Sequence, residues 1–169
     1  ERKNPKIIIE SLETIDGNIS LEIIGQTPNL KYLKELNNLI SSSKHAESIT
    51  MTPFIKAEEL ISKYSSANLF ILPSKSEGLG RVIIEAQSTA CPVLVSSNTG
   101  MVDLIIENET GYIFENNNKN DLSNKIQHIM NNYESALQTG LNSKDFVKEN
   151  QSVANFEFGY KKLIDLVST

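Results

Sequence analysis

The chain has 169 residues, 39% hydrophobic and 22% charged, a composition typical of one soluble globular domain. Its net charge of −5, without a dense Lys/Arg cluster, argues against a nucleic-acid partner, because phosphate binding needs clustered cations. No apolar run approaches the roughly 18 residues of a membrane-spanning helix, and no signal-peptide pattern opens the chain. A single cysteine, Cys91, excludes an internal disulfide, and we expect a cytoplasmic protein.

The first part of the chain predicts helices that alternate with strands. Asn4-Pro5 is a typical helix start, with Asn as the cap and Pro at the first helical position. Short apolar runs and apolar residues at helical spacing predict five more elements before residue 73. They are a strand at Ile19–Ile24, a helix at Leu30–Ile40, a strand at Ser48–Met51, a helix at Ala57–Ser65 and a strand at Asn68–Leu72.

The alternation continues through the second part of the chain and ends in a helical tail. Five elements are predicted before the tail: a helix at Gly80–Thr89, a strand at Val93–Ser96, a short helix at Met101–Ile106, a strand at Gly111–Phe114 and a helix at Asp121–Asn131. Residues from about 133 to 169 carry helical patterns without strands, and the last of these is Phe156–Val167.

This alternation predicts the fold class. Strands separated by helices form βαβ units, whose right-handed crossovers give a Rossmann-like, doubly wound α/β domain with a mostly parallel sheet. We expect residues 1–169 to form one such domain. Because a doubly wound domain ordinarily begins with its central strand, we expect that strand to lie upstream of this sequence. Ligands of such folds bind beyond the carboxyl ends of the strands.

Residues 73–86, Pro-Ser-Lys-Ser-Glu-Gly-Leu-Gly-Arg-Val-Ile-Ile-Glu-Ala, lie at such a strand end. Gly78 and Gly80 let the backbone approach a ligand, and the N–H groups that start the next helix suit a diphosphate. The carboxylates of Glu77 and Glu85 can accept hydrogen bonds from the vicinal hydroxyls of a ribose or hexose. A tight turn followed by a solvated helix fits the same residues, so the pattern leaves both interpretations open.

The stretch from Glu77 to Ala86 resembles the E-G-[FL]-G-x-x-x-x-E-A signature of group 1 (family 4) retaining glycosyltransferases, which have the GT-B fold. Four further segments resemble motifs of that family, so the resemblance extends over nearly the whole of residues 3–131. They are Lys3–Ser11, Asn68–Ser74, Pro92–Val95 and Asn108–Tyr112. The chain is therefore similar to the C-terminal, donor-binding domain of these enzymes.

The resemblance implies roles for individual residues. Glu77 would contact the donor sugar near the reacting centre and Glu85 the ribose hydroxyls. Lys3 would pair with the diphosphate, so that its charge stabilises the leaving nucleotide. Arg81 fits either a phosphate ligand or an ordinary helix-surface residue. The remaining donor contacts are implied for the backbone of the loop: Gly78, Leu79 and Gly80.

The resemblance also implies partners. The donor is a nucleoside-diphosphate sugar, UDP- or GDP-linked, from which a sugar passes to an acceptor hydroxyl with retention, in surface polysaccharide or glycan biosynthesis. No cofactor or metal ion is expected. The acceptor would bind an N-terminal domain outside this chain. Three aromatic residues of the C-terminal tail would contact that domain: Phe156, Phe158 and Tyr160. Membrane contact, if any, would come through that domain, and this chain alone would transfer little sugar.

The sequence departs from the family pattern at four places. The Arg that precedes the Lys helix is absent, Ala90 replaces a usual Gly, and Thr99–Asp103 replaces Gly-Gly-x-Pro-Glu. Met51–Ile55 differs from the loop near the base, where Phe54 either stacks on the base or packs internally. A non-catalytic nucleotide-binding or protein-interaction module is the alternative function. A dinucleotide-dependent oxidoreductase is disfavoured, because no Gly-x-Gly-x-x-Gly follows the first predicted strand.

Overall fold

The computed structural model describes residues 1–150, which form six helices, five strands and two short 3₁₀ turns. The helices are α1 (Pro5–Leu12), α2 (Leu30–Ser42), α3 (Ala57–Ser66), α4 (Val82–Ser88), α5 (Lys119–Asn131) and α6 (Tyr133–Asn150). The strands are β1 (Leu21–Ile24), β2 (Ile49–Thr52), β3 (Phe70–Leu72), β4 (Val93–Ser96) and β5 (Tyr112–Phe114). The predicted helix at Phe156–Val167 and its aromatic residues Phe156, Phe158 and Tyr160 lie outside the described residues.

The predicted elements before residue 151 are confirmed apart from small shifts at their ends and two differences. The short helix predicted at Met101–Ile106 is a single 3₁₀ turn, Val102–Leu104. It stops there because Ile105 is extended and buried, and the Thr110 hydroxyl accepts a hydrogen bond from the Ile106 amide at 2.9 Å. Asn4 precedes α1 without a side-chain cap. Its backbone is left-handed, with φ 49° and ψ 45°, a conformation that Asn tolerates.

All five strands pair in parallel, as predicted. The arrangement nevertheless differs from a single sheet, because β1 pairs with β2 in one sheet and β4 lies between β3 and β5 in another. Within residues 1–150 no strand ladder joins β1 to β3. The described part of the domain is therefore two parallel sheets.

Two hydrophobic cores lie on opposite faces of these sheets. Side chains alternate along β4: Leu94 packs with α1, α2 and α5, whereas Val93 and Val95 pack with α3 and α4. Along β3, Ile71 packs in the same core as Leu94, and Leu72 packs in the core of Val93 and Val95. Right-handed crossovers that run in opposite directions place their helices on opposite faces. The chain therefore reverses direction after β2, which is the switch point of a doubly wound fold.

The position of α1 bears on the predicted upstream strand. Because α1 packs against α2, it lies on the same face, so a right-handed crossover through α1 would start beside β1 on the side away from β2. That place lies between the two sheets, where β1 and β3 have edges unpaired by any described residue. The upstream central strand stays a prediction, with a defined place in which to pair.

Candidate functional site

The loop after β3 and the turn after β4 lie together at one edge of the sheets, because parallel strands end on the same side. Glu77 and Thr99 form an isolated parallel bridge, and the Gly100 amide donates a hydrogen bond to the Glu77 carbonyl oxygen at 2.7 Å. The backbone of Glu77 is therefore held from the neighbouring strand end as well as by its own chain.

The two oxygens of the Glu77 carboxylate contact different residues. Oε2 accepts hydrogen bonds from Lys3 Nζ and, at 3.4 Å, from Ser74 Oγ. Oε1 lies 4.0 Å from Arg2 Nη2. The Glu77 side chain is only 10% exposed. The hydrogen bond from Lys3 is the main cause of a lowered Glu77 pKa; burial opposes it, and the charges of Lys3 and Arg2 add to it. Glu77 is therefore a carboxylate at neutral pH.

Replacing Glu77 with glutamine is expected to lower the free energy of unfolding at neutral pH but not in acid. Because the folded-state pKa lies below the ordinary value of 4.5, the carboxylate stabilises the fold above that pH and stops doing so as pH falls through the lowered pKa. Urea unfolding of wild type and Glu77→Gln across this range measures the gap between them. A gap that does not shrink in acid would mean that the ion pair is absent in solution.

Lys3 reaches Glu77 although 74 residues separate them in sequence. Lys3 immediately precedes the turn into α1, and the main chain beside it is tied to the loop after β3: the Lys75 amide donates to the Arg2 carbonyl oxygen at 2.9 Å. The structure thus brings together Lys3 and Glu77, the two residues for which charged roles at the reacting bond were predicted.

The two glycines of the loop, Gly78 and Gly80, have different structural surroundings. Gly80 is buried with φ 48°, and a Cβ there would lie 3.2 Å from Thr99 Cγ2 and 3.3 Å from Ile83 Cδ1. At Gly78 no atom lies within 4 Å of an added Cβ. Gly80 is therefore required by the turn itself, whereas Gly78 leaves open backbone surface. Between them, the Leu79 side chain is 70% exposed.

Arg81 and Glu85 lie at the start of α4, both exposed. Glu85 is in the first turn, where its charge adds to burial in raising the pKa of Tyr64 to about 12. α4 begins at Val82, two residues later than predicted, and spans only seven residues. The Ile83 amide already donates to the Gly80 carbonyl oxygen at 2.8 Å. The Ile83 amide at the start of α4 is therefore already occupied within the loop.

The family model for glycosyl transferases group 1 matches residues 1–146. This chain belongs to the group 1 glycosyltransferases. An uncharacterized glycosyltransferase of Methanocaldococcus jannaschii is 31% identical over 150 residues, 88% of this chain and 40% of that protein. The capsular polysaccharide biosynthesis glycosyltransferase CapM of Staphylococcus aureus is 31% identical over 118 residues, 68% of this chain and 29% of CapM. The chain thus spans less than half the length of these relatives.

A solved structure places the fold of this group 1 glycosyltransferase domain among GT-B enzymes. The crystal structure of Anabaena HepE in complex with UDP and glucose matches with a TM-score of 0.87 at 18% identity, covering 99% of this chain and 46% of HepE. The predicted family and fold class are confirmed. The site assignments of Lys3, Glu77, Gly78, Leu79, Gly80, Arg81 and Glu85 remain predictions.

Three further residues of this candidate site were not identified from the sequence. Ser74 and Arg2 face the Glu77 carboxylate, and Gly100 holds its backbone. Arg2 stands next to Lys3, and Ser74 ends the predicted strand motif, so both were visible as neighbours of assigned residues. The role of Gly100 needed the structure, because it depends on a contact between two separate loops.

A cavity of about 530 Å³ lies beside α5, and it contains none of the predicted site residues. Its lining is Asn108, Tyr112, Asp121, Asn124, Lys125, His128 and Ser135.

Across residues 1–150, no three His, Cys, Asp or Glu side chains are placed to share a metal ion. Among the same residues, no helix is both long and apolar enough to cross a membrane.

Proposed function

We propose that this domain binds the nucleoside-diphosphate sugar donor of a retaining glycosyltransferase at the loop after β3. The observation that carries the proposal is the contact of Lys3 with the Glu77 carboxylate, at the edge where doubly wound folds bind ligands. It brings together two separate segments of the family resemblance, the one that begins at Lys3 and the one that begins at Glu77. A cation for the diphosphate and an anion for the sugar then lie side by side.

The geometry supports separate roles for Glu77 and Lys3 at the reacting bond. As the bond between the sugar and the diphosphate breaks, positive charge develops on the anomeric carbon and negative charge on the departing phosphate oxygen. The ionised Glu77 stabilises the first, and Lys3 stabilises the second. The acceptor hydroxyl oxygen then bonds to the same carbon, on the face that retains its configuration, and its proton passes to the departing phosphate oxygen.

The rest of the donor would lie along the loop and α4. The open backbone at Gly78, with Leu79 and Gly80, faces the sugar and phosphates, and Glu85 accepts hydrogen bonds from the ribose. Arg81 is exposed and free of ion pairs among the described residues, so it can reach a phosphate. Phe54, on the loop after β2, is 72% exposed. Its interpretation as a buried packing residue is therefore wrong, which leaves stacking on the base as its proposed role.

The similar proteins support a donor class and a pathway class. HepE was solved with UDP and glucose, and CapM is named for capsular polysaccharide biosynthesis. We infer a UDP- or GDP-linked sugar and a role in surface polysaccharide or glycan synthesis in the cytoplasm. The chain covers 46% of HepE, which supports an acceptor-binding domain as its working partner. Any membrane contact would come through that domain. We propose that donor binding requires no metal ion or cofactor.

Nucleotide binding by the protein and two variants tests this proposal. UDP, GDP, ADP and NAD are each added at high concentration, and the shift in Tm is measured, since a ligand that binds only the folded state stabilises it by mass action. One nucleoside diphosphate is expected to raise the Tm of wild type but not of Glu85→Ala. Glu134→Ala is the matched control, because Glu134 is also an exposed glutamate in the first turn of a helix. A larger shift with NAD would contradict the proposal.

A further inference from the structure

We propose that Asn116, on the loop after β5, is a positioning residue for the loop after β3 that carries Glu77. The Asn116 side-chain amide donates a hydrogen bond to the Lys75 carbonyl oxygen at 3.3 Å. Asn116 lies outside the segments that carry the family resemblance, and no role was assigned to it from the sequence. Its importance for sugar transfer rests on the proposed function, whereas its effect on the geometry of the loop does not.

The side chain of Asn116 is itself fixed by β4. Its Oδ1 accepts a hydrogen bond from Ser96 Oγ at 3.1 Å, and Ser96, the last residue of β4, is fully buried. The main-chain amide of Asn116 donates to Ser97 Oγ at 3.0 Å. Because the Lys75 carbonyl oxygen can only accept, the amino group of the Asn116 side chain must face it. Both polar atoms of this side chain therefore have defined partners.

The main chain of Lys75 connects separate parts of the domain. Its amide donates to the Arg2 carbonyl oxygen at 2.9 Å, beside Lys3. Its carbonyl oxygen accepts the hydrogen bond from Asn116 and a second one, at 3.4 Å, from Asn98 Nδ2 on the turn after β4. A carbonyl oxygen has two lone pairs and can accept both. Lys75 thus joins the start of the chain to the loops that follow β4 and β5.

The two hydrogen bonds to this carbonyl oxygen differ in how firmly their donors are held. Both are long for an N–H···O hydrogen bond, so each alone holds the loop weakly. Asn98 is exposed, whereas Asn116 is half-buried and anchored by Ser96. We therefore expect Asn116 to contribute more than Asn98 to the position of Lys75.

The position of Lys75 affects how Lys3 and Glu77 meet. Lys75 is bonded to the residue before Lys3, whereas Glu77 is held separately by the hydrogen bond from the Gly100 amide. A shift of Lys75 would therefore carry Lys3 with it and lengthen the hydrogen bond from Lys3 to Glu77. A misplacement of about an ångström can cost on the order of a hundredfold in reaction rate. Asn116 thus acts through Lys75, without contacting the donor.

The pKa of Glu77, measured by NMR titration of its ¹³C-labelled carboxyl group, tests this geometry without any ligand. The hydrogen bond from Lys3 is the main cause of the lowered pKa, and the charges of Lys3 and Arg2 add to it. Asn116→Leu keeps the approximate size and the neutrality of the side chain but removes the donor, so the Glu77 pKa is expected to rise toward 4.5. Asn118→Leu is the matched control, because it removes the cap of α5 from the same loop. It should lower the Tm and leave the Glu77 pKa unchanged.

Sugar transfer by the enzyme that contains this domain provides the second measurement. Asn116→Leu is expected to lower kcat by up to about tenfold, the effect of one lost hydrogen bond, with a smaller change in KM. Asn118→Leu should match wild type at a temperature at which both are folded. Asn116→Ala removes the same donor without adding apolar bulk, and it replaces Asn116→Leu in both measurements if that variant does not fold.

The possible failures are distinguishable. An unchanged Glu77 pKa in Asn116→Leu would overturn the inference, whatever happens to the rate of transfer. An equal rise in Asn118→Leu would also overturn it, because the effect would then come from general destabilisation. A raised pKa together with undiminished transfer by Glu77→Gln would reject the proposed function, and Asn116 would still position the Glu77 carboxylate.

Discussion

Replacing Gly100 with alanine is expected to weaken donor binding by up to about a hundredfold, by analogy with the loss of reaction rate that an ångström of misplacement causes. A Cβ at this position would lie 1.7 Å from the Gly78 carbonyl oxygen and 2.8 Å from the Glu77 carbonyl oxygen. Backbone atoms cannot rotate away as a side chain does, so the loop from Glu77 to Gly80 or the turn that holds Gly100 must move, and either movement disturbs the hydrogen bond from Gly100 to Glu77. Titration of the preferred nucleoside diphosphate into the folded variant measures the loss.

Gly140→Ala is the matched control for this substitution. Its Cβ would lie 2.2 Å from the Ala90 carbonyl oxygen, so it too clashes with backbone, but on α6 at the amino end of β4. Both variants should lower the Tm, and only Gly100→Ala should lower the affinity of the folded protein. Equal affinities for the two variants would mean that the turn after β4 does not position the donor loop.

Replacing Glu77 with glutamine in the enzyme that contains this domain is expected to reduce the rate of sugar transfer by about a hundredfold or more, because a preorganised charge at the reacting bond is lost. Glutamine keeps the shape of the side chain, so donor affinity should change much less than the maximal rate. Steady-state transfer from the NDP-sugar, with kcat and KM determined separately, makes this distinction.

The same assay distinguishes the alternative function. A non-catalytic nucleotide-binding or interaction module would leave transfer intact in Glu77→Gln, since no reacting bond would lie at this carboxylate. Glu77→Asp provides the conservative comparison, because it keeps the charge and withdraws it by one methylene. Partial activity in Glu77→Asp with strong loss in Glu77→Gln would assign the effect to charge.

The alternation of elements was predictable from the sequence because buried parallel strands leave strong local signals. Val93–Ser96 is apolar apart from its last residue and lies fully buried, which marks it as a central strand. Helices such as Leu30–Ser42 show apolar residues at helical spacing. The short segment 101–106 gave a weaker signal, and its conformation depends on a hydrogen bond that the Ile106 amide donates to the Thr110 hydroxyl, beyond the segment.

The contacts of the site were not predictable from spacing. Only the family resemblance assigned Lys3 and Glu77 to the same donor site, because no local pattern links residues 74 positions apart. The hydrogen bond from Gly100 to Glu77 and the bridge between Glu77 and Thr99 depend on how two loops leave neighbouring strands. Such contacts arise from tertiary packing, which a single sequence does not encode in its local periodicity.

One departure from the family pattern becomes understandable in the structure. Ala90, where the family usually has Gly, follows α4 with φ 63°, a left-handed conformation typical of the residue after a helix. Its amide donates to the Gln87 carbonyl oxygen at 2.9 Å, which closes the end of the helix. The usual glycine thus reflects backbone geometry at this position, and the departure does not touch the donor site.

Mapping where a nucleotide binds is the measurement that tests the donor site most directly. ¹⁵N-labelled protein is titrated with UDP, GDP and ADP, and the amide chemical shifts are followed residue by residue. The site described above predicts that the best-binding diphosphate shifts the amides of Gly78, Leu79, Gly80 and Glu85 together with Lys3. Shifts confined to the cavity beside α5, at Asn108, Asn124 and Ser135, would contradict it and move the ligand to the other side of the domain.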